Sequence, residues 1–185
     1  MNRSELEHII RAAARVTGEK EFIIIGSQAI LGAAPDAPRE LRESMEADIY
    51  PRDRPDLSEA IEGALGRYSS FHDTFEIYAD GTGPETATLP PGWKDRLVPI
   101  NGPGTDGATA WCLDPHDIAY SKLAAGREKD MAFITALRYH QLIQPSRMLA
   151  LFYDTQDQEL AGRLQARWQG IELRLSQRRS PERGL

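Results

Sequence analysis

The chain has 185 residues, 41% of them hydrophobic and 27% charged, with a formal net charge of −6. That is the size of one domain, or of one domain with an appended helical half, and the composition excludes a chain disordered throughout. The acidic balance counts against nucleic acid as a partner, no apolar run nears the roughly 18 residues of a membrane span, and a single cysteine, Cys112, rules out an intrachain disulfide or a thiolate zinc site.

The polar start, Met1-Asn2-Arg3-Ser4, leads into a helix rather than a signal peptide, so the cytoplasm is the expected location, with no membrane partner. Ser4-Glu5-Leu6-Glu7 has capping-box spacing, and Leu6, Ile9, Ile10, Ala13 and Val16 follow at helical intervals up to Thr17-Gly18. Phe22-Ile23-Ile24-Ile25 then reads as a buried strand that ends in Gly26-Ser27 and passes into a short apolar helical segment through Leu31. Pro35 and Pro38 break the chain, and the loop from Gly32 to Glu43 is either a lid or a plain surface insertion. A second strand runs through Ser44-Met45-Glu46-Ala47-Asp48-Ile49-Tyr50 to Pro51. Asp56-x-x-Glu59 is a further capping box, opening a helix with Leu57, Ile61, Ala64, Leu65 and Tyr68 on one side.

Alternation of Phe75, Ile77 and Ala79 with Glu76 and Tyr78 predicts a strand over Phe71–Ala79, followed by a turn at Asp80-Gly81-Thr82-Gly83. After the Leu89–Trp93 loop, Arg96–Ile100 and Ala108–Leu113 form an antiparallel pair around the reversal at Asn101–Gly107. Cys112, beside Trp111 on the second of these strands, is a core residue. Asp114-Pro115 is a strong helix start, and the chain is helical from there on. Ala125-Gly126 interrupts it, Arg127–Ile143 resumes it, Pro145 begins another helix, and Thr155-x-x-Gln158 caps the last. That last helix has Leu160, Leu164, Trp168, Ile171 and Leu175 on one stripe and a polar tail from Ser176 to Leu185 that is expected to fray. The expected architecture is α+β: a mixed sheet with helices over residues 1–113, then a helical bundle over residues 114–185 packed on it. Arg163, Arg167, Arg174, Arg178, Arg179 and Arg183 make the C-terminal part a basic flank suited to an RNA backbone.

Two stretches carry chemistry. Gly26 and Ser27, between a strand and a helix start, offer backbone N–H groups and a hydroxyl to an anion with no side chain to block close approach, which suits a phosphate. Glu46 and Asp48, at i, i+2 on a strand, project from one face and repel each other unless a cation joins them. A hard divalent ion such as Mg²⁺ meets that need with carboxylate oxygens, water and substrate phosphates. A phosphate cradle beside a cation seat suggests a nucleoside triphosphate. Taken alone, an acidic pair on a strand is more often a solvated face, and a mid-helix lysine such as Lys122 more often snorkels along a partly buried surface. His8, His72, His116 and His140 show neither metal spacing nor a nucleophile motif.

The order of apolar strand, Gly26-Ser27, helix, then Glu46-x-Asp48 resembles the polymerase-β-like nucleotidyltransferase superfamily. Its local form resembles the toxin-like branch, the abortive-infection and MenT-type enzymes of bacterial toxin–antitoxin systems. The stretch from Leu113 to Asp130, with Lys122-Leu123-Ala124-Ala125 and Lys129-Asp130, is similar to a second motif of that branch. The two motifs span residues 22 to 130. The resemblance implies an enzyme that moves a nucleoside monophosphate from a nucleoside triphosphate to an acceptor hydroxyl with Mg²⁺. It implies metal binding by Asp48 and Glu46, although the superfamily more often has aspartate at the latter position. It also implies phosphate contacts from Gly26, Ser27, Lys122, Arg127 and Lys129, and an active-site role for Asp130 as the base for the acceptor. A third metal carboxylate is expected from the strand after the helix, with Glu76 as the candidate and Asp73 and Asp80 as rivals. A tRNA 3′ end as acceptor and an antitoxin as partner follow from the same branch. The alternatives are a catalytically weak nucleotide- or partner-binding module, or a small-molecule (antibiotic) nucleotidyltransferase.

Overall fold

The chain is described by a computed structural model over residues 1–179. The tail expected to fray from Ser176 is helical as far as Arg179, and the rest of it, Arg183 included, lies outside the described residues. The strands are β1 (Glu21–Ile25), β2 (Glu46–Pro51), β3 (Tyr78–Gly81), β4 (Val98–Ile100) and β5 (Thr109–Cys112). They form one mixed sheet in the order β3-β2-β1-β5-β4. β1 is central because Phe22, Ile23, Ile24 and Ile25 are all buried, the composition of a strand covered on both faces. It pairs antiparallel with β2, with Ile25 opposite Asp48, and parallel with β5, with Ile24 opposite Cys112. β3 pairs parallel with β2, which sets Asp48 beside Asp80. β4 and β5 are antiparallel, as the turn at Asn101–Gly107 predicts.

The helices are α1 (Arg3–Thr17), α2 (Ile30–Ala33), α3 (Ser58–Leu65), α4 (Ser70–Phe75), α5 (Pro115–Ala125), α6 (Glu128–Tyr139), α7 (Pro145–Tyr153) and α8 (Gln158–Arg179). The fold is therefore α+β, with a C-terminal helical region. Leu6, Ile9, Ile10 and Ala13 of α1 and Leu164, Trp168, Ile171 and Leu175 of α8 join the sheet in a single continuous core. Cys112 is fully buried, and burial pushes its thiol up to about 12, so it is inert packing.

Several local expectations are corrected. The cap of α1 is Asn2 rather than Ser4: its side chain accepts from the Glu5 backbone at 3.0 Å, and Glu5 accepts from the Asn2 N–H at 2.6 Å. Asp56 caps nothing, because Arg54 takes its carboxylate at 2.9 and 2.7 Å and a 3₁₀ turn, Pro55–Leu57, leads into α3. The strand expected from Phe71 begins only at Tyr78. Ser69 caps α4 instead, and Phe71 and Phe75, one turn apart, stack on each other and on His8, so helical spacing wins over the apparent alternation. Arg96 lies in a 3₁₀ turn ahead of β4 and pairs with the buried Asp117 at 2.8 Å. Helix α6 stops at Tyr139 rather than Ile143, with Gln141 at φ 59° turning the chain. Thr155 is buried against the Tyr120 hydroxyl at 2.9 Å, and Asp157 accepts the first N–H groups of α8 in its place.

Candidate active site

The end of β1 and the face of β2 build the floor of the site. Gly26 has φ 68° and ψ −162°, a conformation closed to other residues, and it turns the chain from β1 into a 3₁₀ segment, Ser27–Ala29. The antiparallel register places this turn against Asp48. On the same face stand Glu46, two residues earlier, and Asp80 on the neighbouring strand. Oxygens of these three carboxylates lie within 4.8 Å of one another. The Tyr78 hydroxyl donates to Glu46 Oε2 at 2.7 Å and fixes the longer of the three arms.

Burial and the closeness of the carboxylates, with no counter-charge among them, suppress ionisation of the two aspartates. Burial above all, then the charges of Glu46 and Asp80, push Asp48 up to about 7, with Lys122 opposing them. Asp80 is raised too, by burial and by Glu46 and Glu62. A hard oxygen donor set under this repulsion fits a divalent cation, which would relieve the repulsion by lying between the carboxylates.

The opposite wall comes from α5 and α6. Gly126, at φ 71°, ends α5 and lets the chain fold straight back into α6, so residues eight apart meet. Lys122 Nζ lies 3.2 Å from Asp130 Oδ1 and over the Phe133 ring at 4.7 Å. Asp130 is 0% exposed. It also accepts from Arg127 Nε at 2.7 Å and from the Arg127 backbone at 3.3 Å. Burial works to raise its carboxyl, but hydrogen bonds and charge from Arg127 and Lys122 prevail and hold it below the usual carboxylate range. Lys122 is itself lowered, chiefly by burial, with Asp130 and Asp48 opposing. The exposed Arg127 and Lys129 stand at the mouth.

Between these walls is an open cleft of about 970 Å³, at the upper end of the range of small-molecule sites. It gathers Gly26, Ser27, Glu46, Asp48, Lys122, Arg127 and Lys129, all singled out from the sequence. Asp130 lies behind this wall as the partner of Lys122 and Arg127. Glu76 is not brought in: it is exposed and ends α4 at φ 58°, and Asp73 is exposed on α4. Asp80, the rival, holds the third position because the strand begins later than its alternation suggests. The Gly32–Glu43 loop forms part of the rim through Glu40, Leu41 and Glu43, with Leu41 buried and Glu40 bonded to His140 at 2.6 Å. Sequence reasoning missed Gln28, which lines the cleft, and Tyr78, whose hydroxyl sets Glu46. Tyr78 stands two residues before Asp80 on β3 and opposite Glu46, a pairing that could have signalled it, whereas nothing in the sequence marks Gln28.

Residues 4–177 match the model of a family described as "Nucleotidyltransferase of unknown function (DUF6036)". The chain belongs to this nucleotidyltransferase family. No curated protein and no solved structure matches it. As a member of a nucleotidyltransferase family it is a transferase, and the Gly26 turn, the acidic triad and Lys122 fall inside the matched span. Among the described residues no helix is long and apolar enough to cross a membrane.

Proposed function

We propose that the protein transfers a nucleoside monophosphate from a nucleoside triphosphate to an acceptor hydroxyl, with a divalent cation, Mg²⁺, held by Asp48, Glu46 and Asp80. The observation that carries this is the convergence of three carboxylates within 4.8 Å on a cleft that also exposes the Gly26-Ser27 turn and Lys122. Gly26 and Ser27 receive phosphate oxygens, and Lys122 and Arg127 neutralise the charge that gathers on the leaving group. The acceptor oxygen bonds to the α-phosphorus, the bond from that phosphorus to the bridging oxygen breaks, pyrophosphate leaves, and the hydroxyl proton passes to a cleft carboxylate. The cation supplies charge neutralisation and alignment of the triphosphate. Positioning and electrostatics account for the rate.

Asp130 acts through its neighbours. A carboxylate with no exposed surface, held ionised by two cations, is a weak base, whereas it is well placed to aim Lys122 and Arg127. A tRNA 3′ end is the acceptor favoured by the resemblance to the toxin-like branch, with an antitoxin as the protein's partner. Arg127 and Lys129 at the mouth and Arg174 on α8 support an RNA backbone, while Arg163 is paired with Glu159 and Arg167 is turned inward. A second reading, transfer to a small cationic acceptor, is favoured by Glu40 and Glu43 on the rim.

The test is to incubate the protein with Mg²⁺, each of four labelled nucleoside triphosphates and total tRNA, alongside Asp48→Ala. Label on tRNA that vanishes in the variant supports the proposal. Nucleotide binding without labelled tRNA removes tRNA as the acceptor and leaves a different acceptor or a binding module without turnover, and no binding of any nucleotide removes the site assignment.

A further inference from the structure

Gln28 is 1% exposed and lines the cleft, yet neither its Nε2 nor its Oε1 has a hydrogen-bond partner. Among the described residues it stands apart in this. Thr105 bonds to the Gly102 and Ala108 carbonyls, His116 to Asp114 and Gln144, Asp117 to Arg96, and Thr155 to Tyr120. A buried amide left unpaired destabilises a fold, and leucine or methionine fills much the same volume without that penalty. Glutamine here is therefore unfavourable for the free protein, which is the mark of a side chain kept for a ligand.

Its position indicates which part of the ligand. The 3₁₀ segment that carries Gln28 follows Gly26 directly and packs against β2, which bears Glu46 and Asp48, and against α5, which bears Lys122. An amide presents a donor and an acceptor side by side, so its full complement is an acceptor next to a donor. Phosphate oxygens only accept, and waters held by a cation donate outward. The two adjoin where a hydrated cation meets a triphosphate, and that is the side of the cleft where Asp48 lies against Gly26.

We propose that Gln28 is a positioning residue for the triphosphate. By rotation of its side chain the amide enters the cleft, where Nε2 donates to a phosphate oxygen and Oε1 accepts from a water on the cation. This rests on the nucleotide reading of the site above. No bond is made or broken in the step; the unpaired amide of the free protein becomes a paired one in the complex.

The experiment compares wild type with Gln28→Met and Gln28→Leu, the latter as a second apolar replacement of different shape. Calorimetric titration with Mg²⁺ and inorganic tripolyphosphate, then with Mg²⁺ and each nucleoside triphosphate, gives affinities, and thermal unfolding without ligand gives stability. The proposal expects at least one variant to melt at or above the wild-type temperature while binding both probes about tenfold more weakly, by the same factor. Unchanged affinities for both probes overturn the role of Gln28 and leave the nucleotide site standing. Weakened nucleotide binding with unchanged tripolyphosphate binding overturns the phosphate assignment in favour of the nucleoside end. Lower melting of both variants makes Gln28 a structural residue and overturns the proposal. A wild type that binds neither probe overturns the nucleotide site itself, and the role of Gln28 with it.

Discussion

The Oδ2 atom of Asp48 occupies the place where a side chain on Gly26 would begin: a Cβ built there would stand 1.8 Å from it. Gly26 thus serves two ends. Its backbone conformation turns the chain out of β1 at the edge of the cleft, and its bare Cα makes room for the Asp48 carboxylate. The turn proposed to take phosphate and the carboxylate proposed to hold the cation are thus in direct contact, so damage to the first should damage the second. Gly26→Ala is expected to fold with stability lowered by about 1–3 kcal/mol and to lose Mg²⁺-dependent nucleotide binding. Chemical denaturation and calorimetric titration check the two parts. Wild-type Mg²⁺ dependence in this variant would break the link between the turn and Asp48.

Asp48 gives a pH signature. Its folded-state value of about 7 lies above the value of an unfolded aspartate. For an acid raised on folding, the folded state is favoured below the unfolded value, and stability declines as pH rises toward the folded one. Without divalent cation, the melting temperature should therefore fall between about pH 4 and pH 7, by an amount on the order of a few kcal/mol in stability. Mg²⁺ added at neutral pH should restore it, since binding to the folded state adds stability. Asp48→Asn should flatten the pH dependence, melt higher than wild type in cation-free buffer, and lose the Mg²⁺ effect. A wild type whose melting point does not respond to Mg²⁺ at neutral pH contradicts the cation seat.

Much of this site is legible in the sequence because its parts are local. Strand β1, the Gly26-Ser27 turn and the Glu46-x-Asp48 spacing lie in short segments whose geometry follows from side-chain pattern alone, and so do the Asp114-Pro115 start of α5 and the break at Gly126. The parts that were not legible depend on tertiary partners. Phe71 and Phe75 become helical because His8, on α1, stacks on them, and this moves the third carboxylate from Glu76 to Asp80. Thr155 looks like a cap until Tyr120 takes its hydroxyl. Gln28 carries no sequence signal because its only peculiarity, a buried amide without a partner, exists once the chain is folded.

The C-terminal helix touches the end of α5 beside the cleft through Arg167. Arg167 on α8 donates from Nη1 to the carbonyls of Leu123 and Ala124, the latter at 2.9 Å, and so caps the end of α5 beside Lys122. It lies against Gly126, where a Cβ would stand 2.3 Å from the Arg167 Cζ. Arg167→Ala should lower stability by about 1–2 kcal/mol, the scale of charge-assisted hydrogen bonds, and raise KM for nucleotide by loosening the turn that holds Lys122 and Arg127. Gly126→Ala, which combines positive φ with the clash, should cost more than Arg167→Ala. Combining the two should cost less than their sum, because the alanine at 126 no longer meets the guanidinium. Strict additivity in denaturation would show that the contact does not matter.

Asp130 separates a positioning role from that of a base. Its carboxyl is held low by Arg127 and Lys122, so its contribution to stability is complete above the usual aspartate range and is lost as pH falls through its folded value. Asp130→Ala leaves Lys122, whose side chain is 12% exposed, without its nearest counter-charge. It should cost about 3–5 kcal/mol at neutral pH, with the deficit shrinking in acid. Asp130→Asn keeps the shape and removes the charge. Lys122 is already lowered by burial and has only Asp48 left to oppose it, so it should lose its proton at a lower pH than in wild type. The alkaline limb of the activity profile should move to lower pH, and nucleotide KM should rise, with transfer reduced roughly 10²-fold. Loss of a base would also remove the acidic limb of the profile and lower turnover far beyond the change in nucleotide affinity, whereas loss of a positioning residue leaves the acidic limb in place. Steady-state kinetics of Asp130→Asn across pH therefore decides whether this buried carboxylate takes the acceptor's proton or aims Lys122 into the cleft.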